Sequence, residues 1–217
     1  MITIHTQLIG RPATHHDERG SWRSAIFRTV VEGPQQLLET GLAGDQVADT
    51  ENHGSPAQAV CCHPLDHYAF WNTEYQLEAA GRPIGPGGVG ENWTIAGATE
   101  EDVCIGDRFD VGSACVEVSG PRYPCIKQER KLQLPGLLQR TIATRRTGWY
   151  LRVIRPGSVS AGDAWRQVGQ PNRGLTIARV NLGMHQEFDR LLALELLDVP
   201  ELSAGWKRIL QFKLRGE

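Results

Sequence analysis

Between residues 92 and 120, short segments rich in apolar residues alternate with single glycines, and this pattern restricts the fold more than any other feature. The segments span 92–95, 103–105, 108–111 and 114–119, and the glycines are Gly97, Gly106, Gly112 and Gly120. Short segments separated by turn residues are typical of β-strands. Several strands at such close spacing predict a β-barrel or a β-sandwich.

The regions on either side of this stretch extend the same prediction. Residues 24–31 and 149–153 carry β-branched and aromatic side chains and predict further strands, while residues 33–56 are polar and turn-rich and predict a long loop. Residues 64–80 show an apolar stripe at helical spacing, with Pro64 in the first turn and Gly81 after the end. We therefore expect a mainly β body with a few helices.

The character of the sequence changes after Trp165. Three short helical patterns occupy residues 176–183, 187–197 and 200–214, and the last is preceded by an Asp198-x-x-Glu201 capping pattern. We therefore predict two units: a β-barrel domain at 1–165, and a small three-helix extension at 170–217.

Composition excludes several classes of protein. The 217 residues carry a formal net charge of -2, so nucleic acid is not an expected partner. The chain shows neither a secretory leader nor an apolar run of about 18 residues, so no membrane association is expected. Its five cysteines are odd in number and form no CxxC pair, which argues against a disulfide framework and indicates the reducing cytoplasm.

Cys125 is the strongest candidate for a reactive residue. It follows a predicted strand, in a segment stiffened by Pro121 and Pro124 and flanked by Arg122 and Lys127. Nearby cations favour the thiolate, which is both a nucleophile and a ligand for soft metals. The alternative is a buried cysteine that acts as a small hydrophobic residue, and this is the preferred interpretation for Cys104 and Cys115.

A second pattern suggests zinc, but less strongly. Cys61-Cys62-His63 is followed by His67, and two histidines four residues apart can share one helix face. The glutamate of an HExxH motif is absent and Pro64 stands in its place, so helix packing is preferred.

Several motifs occur in the order seen in MOSC domains, which are named for the C-terminal domain of molybdenum cofactor sulfurase. They are Gly90-Glu-Asn92, Ile105-Gly-Asp107, Val118-Ser-Gly-Pro-Arg-Tyr-Pro-Cys125, Gly148-Trp-Tyr-Leu-Arg-Val153 and Pro156-Gly-Ser-Val-Ser-Ala-Gly-Asp163. Upstream, Gly44-Asp45, Asn52-His53-Gly54 and Ala59-Val60 resemble a further family segment. The three-helix tail is similar to the extension of one bacterial branch of the family.

The resemblance implies a β-barrel fold, a pterin-based molybdenum cofactor, and one functional cysteine, Cys125, as the molybdenum ligand or as a carrier of sulfur. It adds Asp45 and His53 as catalytic candidates. Since the pterin phosphate is anionic, basic and amide donors are expected to bind it; these candidates are Asn92, Arg122, Lys127, Arg145 and Arg152. We expect at least one of Arg122 and Lys127, and at least one of Arg145 and Arg152, to face the thiol.

One position departs from the family pattern. Ser55 replaces the second glycine of His-Gly-Gly, which would be unfavourable if that position required a positive φ.

Three functions remain open at this point. The resemblance implies an oxidoreductase that reduces N-hydroxylated compounds; because the chain has no iron–sulfur, haem or flavin motif, a separate reductase would have to supply electrons. The alternatives are a sulfur carrier with a persulfide on Cys125 and a non-catalytic module that binds small molecules. A homodimer is one assembly compatible with the sequence.

Overall fold

The computed structural model describes residues 1–216. Its strands are β1 (Thr3–Ile9), β2 (Ala13–Asp17), β3 (Gly20–Ser24), β4 (Thr29–Val30), β5 (Gln35–Leu38), β6 (Gly41–Leu42), β7 (Val60–Pro64), β8 (Trp93–Ala96), β9 (Arg108–Val111), β10 (Ala114–Pro121), β11 (Trp149–Arg155), β12 (Gly157–Val159) and β13 (Trp165–Gly169). Its α-helices are α1 (Asp66–Glu74), α2 (Ile126–Leu132), α3 (Leu137–Thr144), α4 (Ile177–His185), α5 (Arg190–Leu197) and α6 (Ala204–Arg215), and a short 3₁₀ helix spans Pro56–Gln58.

Eight strands form one curled sheet in the order β13-β9-β10-β11-β7-β8-β1-β4, in which β7 and β8 run parallel and the other pairs antiparallel. The start of β1 meets the residues that precede β13. Ile4 N donates to Asp163 O (3.1 Å), and Trp165 N donates to Ile2 O (2.9 Å). These bonds link the two sides of the sheet into a barrel-like body, and the mainly β prediction is confirmed.

The core of the barrel continues into the C-terminal helices. All eight residues of β10 are buried. An antiparallel strand with one solvent-exposed face would instead alternate between buried and exposed residues. The helices account for this, because Leu196 and Leu210 belong to the same apolar cluster as Val116 and Trp149. The division into 1–165 and 170–217 stays a prediction, but both sides of that boundary contribute to one core.

The first half of the chain differs from the sequence prediction in three places. The expected helix at 64–80 is confined to α1, because Pro64 ends the fully buried strand β7 and Gln76 adopts a positive φ of 51° just after the helix. The expected strand at 24–31 shrinks to β4. The expected loop at 33–56 contains β5 and β6, which form a small separate sheet with β12.

The second half differs mainly at element boundaries. The sheet continues through β13, beyond the expected end at Trp165, and the expected strand at 103–105 is reduced to a bridge at Cys104. Helix α6 begins after Ser203, whose Oγ accepts from Trp206 N (3.3 Å), so the predicted Asp198 cap is wrong. Within residues 1–216, no helix is long and apolar enough to cross a membrane.

Candidate functional site

A cavity of about 390 Å³ opens where β10 ends and β8 and β11 begin. Of the eight residues that the sequence nominated, six line this cavity: Asp45, His53, Asn92, Arg122, Cys125 and Lys127. Residues up to 82 positions apart in the chain are thus brought together in one place.

Cys125 lies at the start of helix α2 and is the most accessible of the five cysteines. Its backbone is extended (φ -132°, ψ 135°), and its Sγ accepts a hydrogen bond from Lys127 N at 3.5 Å. Cys125 is half-buried, whereas the other four cysteines are buried. An accessible sulfur that receives a backbone N–H is placed to react or to bind a metal.

Arg122 supplies a buried positive charge beside this sulfur. The residue is 7% exposed, its backbone N donates to Gly148 O (3.0 Å), and its Nη2 donates to Val89 O (2.8 Å). Its Nη1 is buried and has no hydrogen-bond partner within the described chain. A guanidinium keeps its charge at any ordinary pH. A buried cation with an unsatisfied donor favours an anionic ligand, because leaving such a donor unpaired is costly.

Asp45 organises the wall of the cavity. Its carboxylate accepts from Gly10 N (2.7 Å), from Arg28 Nε (3.2 Å) and Nη2 (3.0 Å), and from Asn92 Nδ2 (2.8 Å). Arg28 also donates through Nη1 to Gly90 O (2.7 Å). With four donors around it, the Asp45 carboxylate is occupied in holding three segments of the chain together.

Sequence reasoning missed Arg28, because residues 24–31 predicted a regular strand in which this side chain had no assigned role. The structure places it between β3 and β4, where it lines the cavity and forms the ion pair with Asp45. A lone arginine in an apolar segment was the signal that could have identified it, since such a charge requires a partner when it is buried.

His53 also lines the cavity. Burial lowers the pKa of His53 below its usual value of 6.5, the nearby Arg122 lowers it further, and Asp49 partly opposes both effects. The imidazole is therefore neutral at pH 7, with one ring nitrogen able to donate a proton and the other able to accept one.

The unusual residue after His53-Gly54 fits without strain. Gly54 has a positive φ of 83°, but Ser55 has φ -67° and ψ 152°, which any residue can adopt. Ser55 immediately precedes the 3₁₀ helix at Pro56–Gln58. The departure from the His-Gly-Gly pattern therefore does not require a different loop conformation.

The inner wall carries two groups that the sequence did not assign to the site, Cys61 and Tyr150. Burial raises the pKa of the Cys61 thiol and of the Tyr150 hydroxyl above their ordinary values. Both groups are therefore protonated and neutral at pH 7. Cys61 N also donates to Asn92 Oδ1 (3.1 Å), which ties this wall to the Asp45 cluster.

The zinc pattern does not form as the sequence suggested. His63 belongs to strand β7 and His67 to helix α1, so the two imidazoles do not share a helix face. His67 Nε2 lies 2.7 Å from Glu100 Oε2. In the part of the chain that the structure describes, no three His, Cys, Asp or Glu side chains cluster to hold a metal ion.

Arg145 and Arg152 do not line the cavity. Arg152, in β11, forms an ion pair with Glu117 (2.9 Å). Arg145 follows helix α3 with a positive φ of 60°, and its carbonyl accepts from Asn181 Nδ2 (3.4 Å). The expectation that one of this pair faces the thiol is therefore not met, and Arg28 is the third cation of the cavity.

The chain is similar in sequence and in structure to known proteins. Residues 49–166 match the sequence pattern of the MOSC domain. The uncharacterized protein YflK of Bacillus subtilis is 34% identical over 200 residues, which cover 92% of this chain and 88% of YflK. The crystal structure of YiiM from Geobacillus stearothermophilus has a TM-score of 0.82 and 32% identity, and the match covers 99% of this chain and 100% of YiiM.

A third relative is much longer. A protein of Gibberella moniliformis named "Reductase" is 36% identical over 153 residues, which cover 70% of this chain but 27% of that protein.

Proposed function

The chain belongs to the MOSC-domain family, and we propose that it binds the molybdenum cofactor with Cys125 as the protein ligand to the metal. MOSC domains are associated with this cofactor. One observation carries the proposal: the half-buried thiol shares its cavity with the buried cation Arg122, whose Nη1 lacks a partner among the described residues.

The chemistry of the donors fits the cofactor. Thiolates bind soft metals, and Lys and Arg bind phosphate through charge-assisted hydrogen bonds. Lys127 and Arg122 supply such donors, whereas the charge of Arg28 is already offset by Asp45. A cavity of about 390 Å³ lies within the usual range for small-molecule sites.

We propose that the reaction is the reduction of an N-hydroxylated compound. When bound, the cofactor would supply two-electron redox chemistry. Reduction of an N–OH group to N–H releases water and consumes two electrons and two protons. His53 is neutral and lines the cavity, so its ring nitrogens can pass a proton to the departing oxygen.

The electrons require another protein, and we propose a separate reductase as the donor. The Gibberella protein named "Reductase" supports this proposal, because this chain corresponds to only 27% of it and the remainder is long enough for further modules.

Metal analysis tests the proposal. Protein purified from a host that makes the cofactor is expected to contain molybdenum and pterin, and Cys125→Ser is expected to lose the molybdenum. Cys61→Ser is the matched control, since this second thiol of the same cavity is buried and protonated. Wild-type protein without molybdenum or pterin, or equal molybdenum in both variants, would contradict the assignment.

The same accessible sulfur supports a second candidate, a sulfur carrier with a persulfide on Cys125. Cyanide-releasable sulfur in metal-free wild-type protein, absent from Cys125→Ser, would favour this function. Protein with neither signal would leave a module that binds small molecules.

A further inference from the structure

The C-terminal helices lie directly against the segment that carries the thiol. This thiol segment runs from residue 119 to residue 125 and connects the end of β10 to helix α2. Ser203 N donates to Ser119 O (2.9 Å), and Trp206 Nε1 donates to Pro121 O (2.7 Å). The second bond fixes the carbonyl immediately before Arg122.

A close approach at Gly120 makes this contact possible. Gly120 has φ +151°, and a Cβ at this position would lie 2.8 Å from Trp206 Cδ1. Any larger residue would push the indole away from the thiol segment. The glycine therefore allows Trp206 to reach the backbone of the segment.

Aromatic contacts hold the next part of the segment. The Tyr123 ring lies 5.8 Å from the Trp206 ring and 5.5 Å from the His185 ring, both measured between centroids. Tyr123 also lines the cavity. Burial and the nearby Lys213 lower the pKa of His185 to about 4, so this imidazole is neutral at pH 7 and acts here as a packing surface.

We propose that Trp206 is a positioning residue for the thiol segment, which makes the C-terminal extension part of the functional site. Its hydrogen bond to Pro121 O and its contact with Tyr123 hold the residues on both sides of Arg122. These contacts set where Arg122 and Cys125 stand in the cavity. The inference rests on the proposed role of Cys125, but it concerns the protein without its cofactor.

The test uses full-length, cofactor-free protein and two variants of Trp206. Trp206→Phe removes the N–H donor and part of the ring; incorporation of benzothienylalanine at position 206 removes only the donor and keeps the shape. The control is Trp165→Phe, because Trp165 is similarly buried in the same core but its Nε1 has no hydrogen-bond partner in the described chain.

The measurements are amide hydrogen exchange of the thiol segment and the iodoacetamide alkylation rate of Cys125. Loss of one hydrogen bond should raise the amide exchange of the segment about fivefold in each Trp206 variant, because the segment opens more often. The alkylation rate of the half-buried Cys125 should rise as well. Trp165→Phe should leave both unchanged. Wild-type behaviour of the benzothienylalanine protein, or an equal rise in Trp165→Phe, would overturn the proposal. Neither readout depends on molybdenum. A negative result here would therefore overturn the role of Trp206 without bearing on the proposed binding of the cofactor.

Discussion

Replacing Asp45 by asparagine tests whether this residue holds the cavity together rather than reacting. The carboxylate accepts four N–H donors, and two of them belong to Arg28. A carboxamide has one acceptor oxygen and an NH₂ group, so at least one donor would face another donor. The substitution also removes the counter-charge of Arg28, whose side chain is only 11% exposed.

Removing one member of a buried ion pair costs about 3–5 kcal/mol. Since the side chains of Arg28 and Asp45 remain 11% and 10% exposed, we expect the lower end, about 3 kcal/mol of unfolding free energy. For a protein of this size that loss corresponds to a fall in Tm of about 6–12 °C. Urea and thermal denaturation of the cofactor-free protein would measure both quantities.

The matched control is Asp49→Asn. Asp49 lines the same cavity and is half-buried, but among residues 1–216 its carboxylate accepts from Asn52 N and Nδ2 and forms no ion pair. We expect its stability to equal that of the wild type. A loss below about 1 kcal/mol in Asp45→Asn, or the same loss in both variants, would refute this reasoning.

Three further predictions concern the cavity. Iodoacetamide should modify Cys125 at least about tenfold faster than the other four cysteines, because these are buried; peptide mapping that finds any of the four reacting first would contradict this. Arg122→Gln should weaken pterin retention by about ten- to 150-fold, because it removes the buried guanidinium. Arg152 lies outside the cavity, so Arg152→Gln should retain the pterin, and equal pterin content in the two folded variants would count against an anion site at Arg122. Because the pKa of His53 is lowered in the folded state, the folded protein binds fewer protons than the unfolded chain. The wild type should therefore lose stability relative to His53→Gln as the pH falls below about 6.5, and parallel acid-denaturation curves for the two proteins would contradict this.

The sequence predicted the type of fold and nominated six of the residues that line the cavity, for identifiable reasons. Glycines such as Gly106 and Gly112 adopt a positive φ in turns. Their positions along the sequence therefore indicated where the strands end. The candidates near Cys125 were also found, because Arg122 and Lys127 are neighbours in the chain.

What escaped prediction depends on long-range contacts. Pro64 appeared to start a helix, but pairing of β7 with β8 and β11 places it at the end of a strand. Arg152 was predicted to bind the cofactor, but it forms an ion pair with Glu117 on the adjacent strand. Arg28 could not be assigned because its partner Asp45 lies 17 positions away, within a predicted loop. Local patterns carry no information about such pairings.

The link between β1 and the segment before β13 also has a consequence for the order of events during synthesis. Ile4 and Asp163 are 159 positions apart, so this pairing cannot form until most of the chain has left the ribosome. Bringing such distant segments together carries a large loop-closure entropy, which slows the step further. Cys125 therefore emerges before the sheet that surrounds it can close. A ligand that requires the closed sheet can therefore bind only after most of the chain has been made.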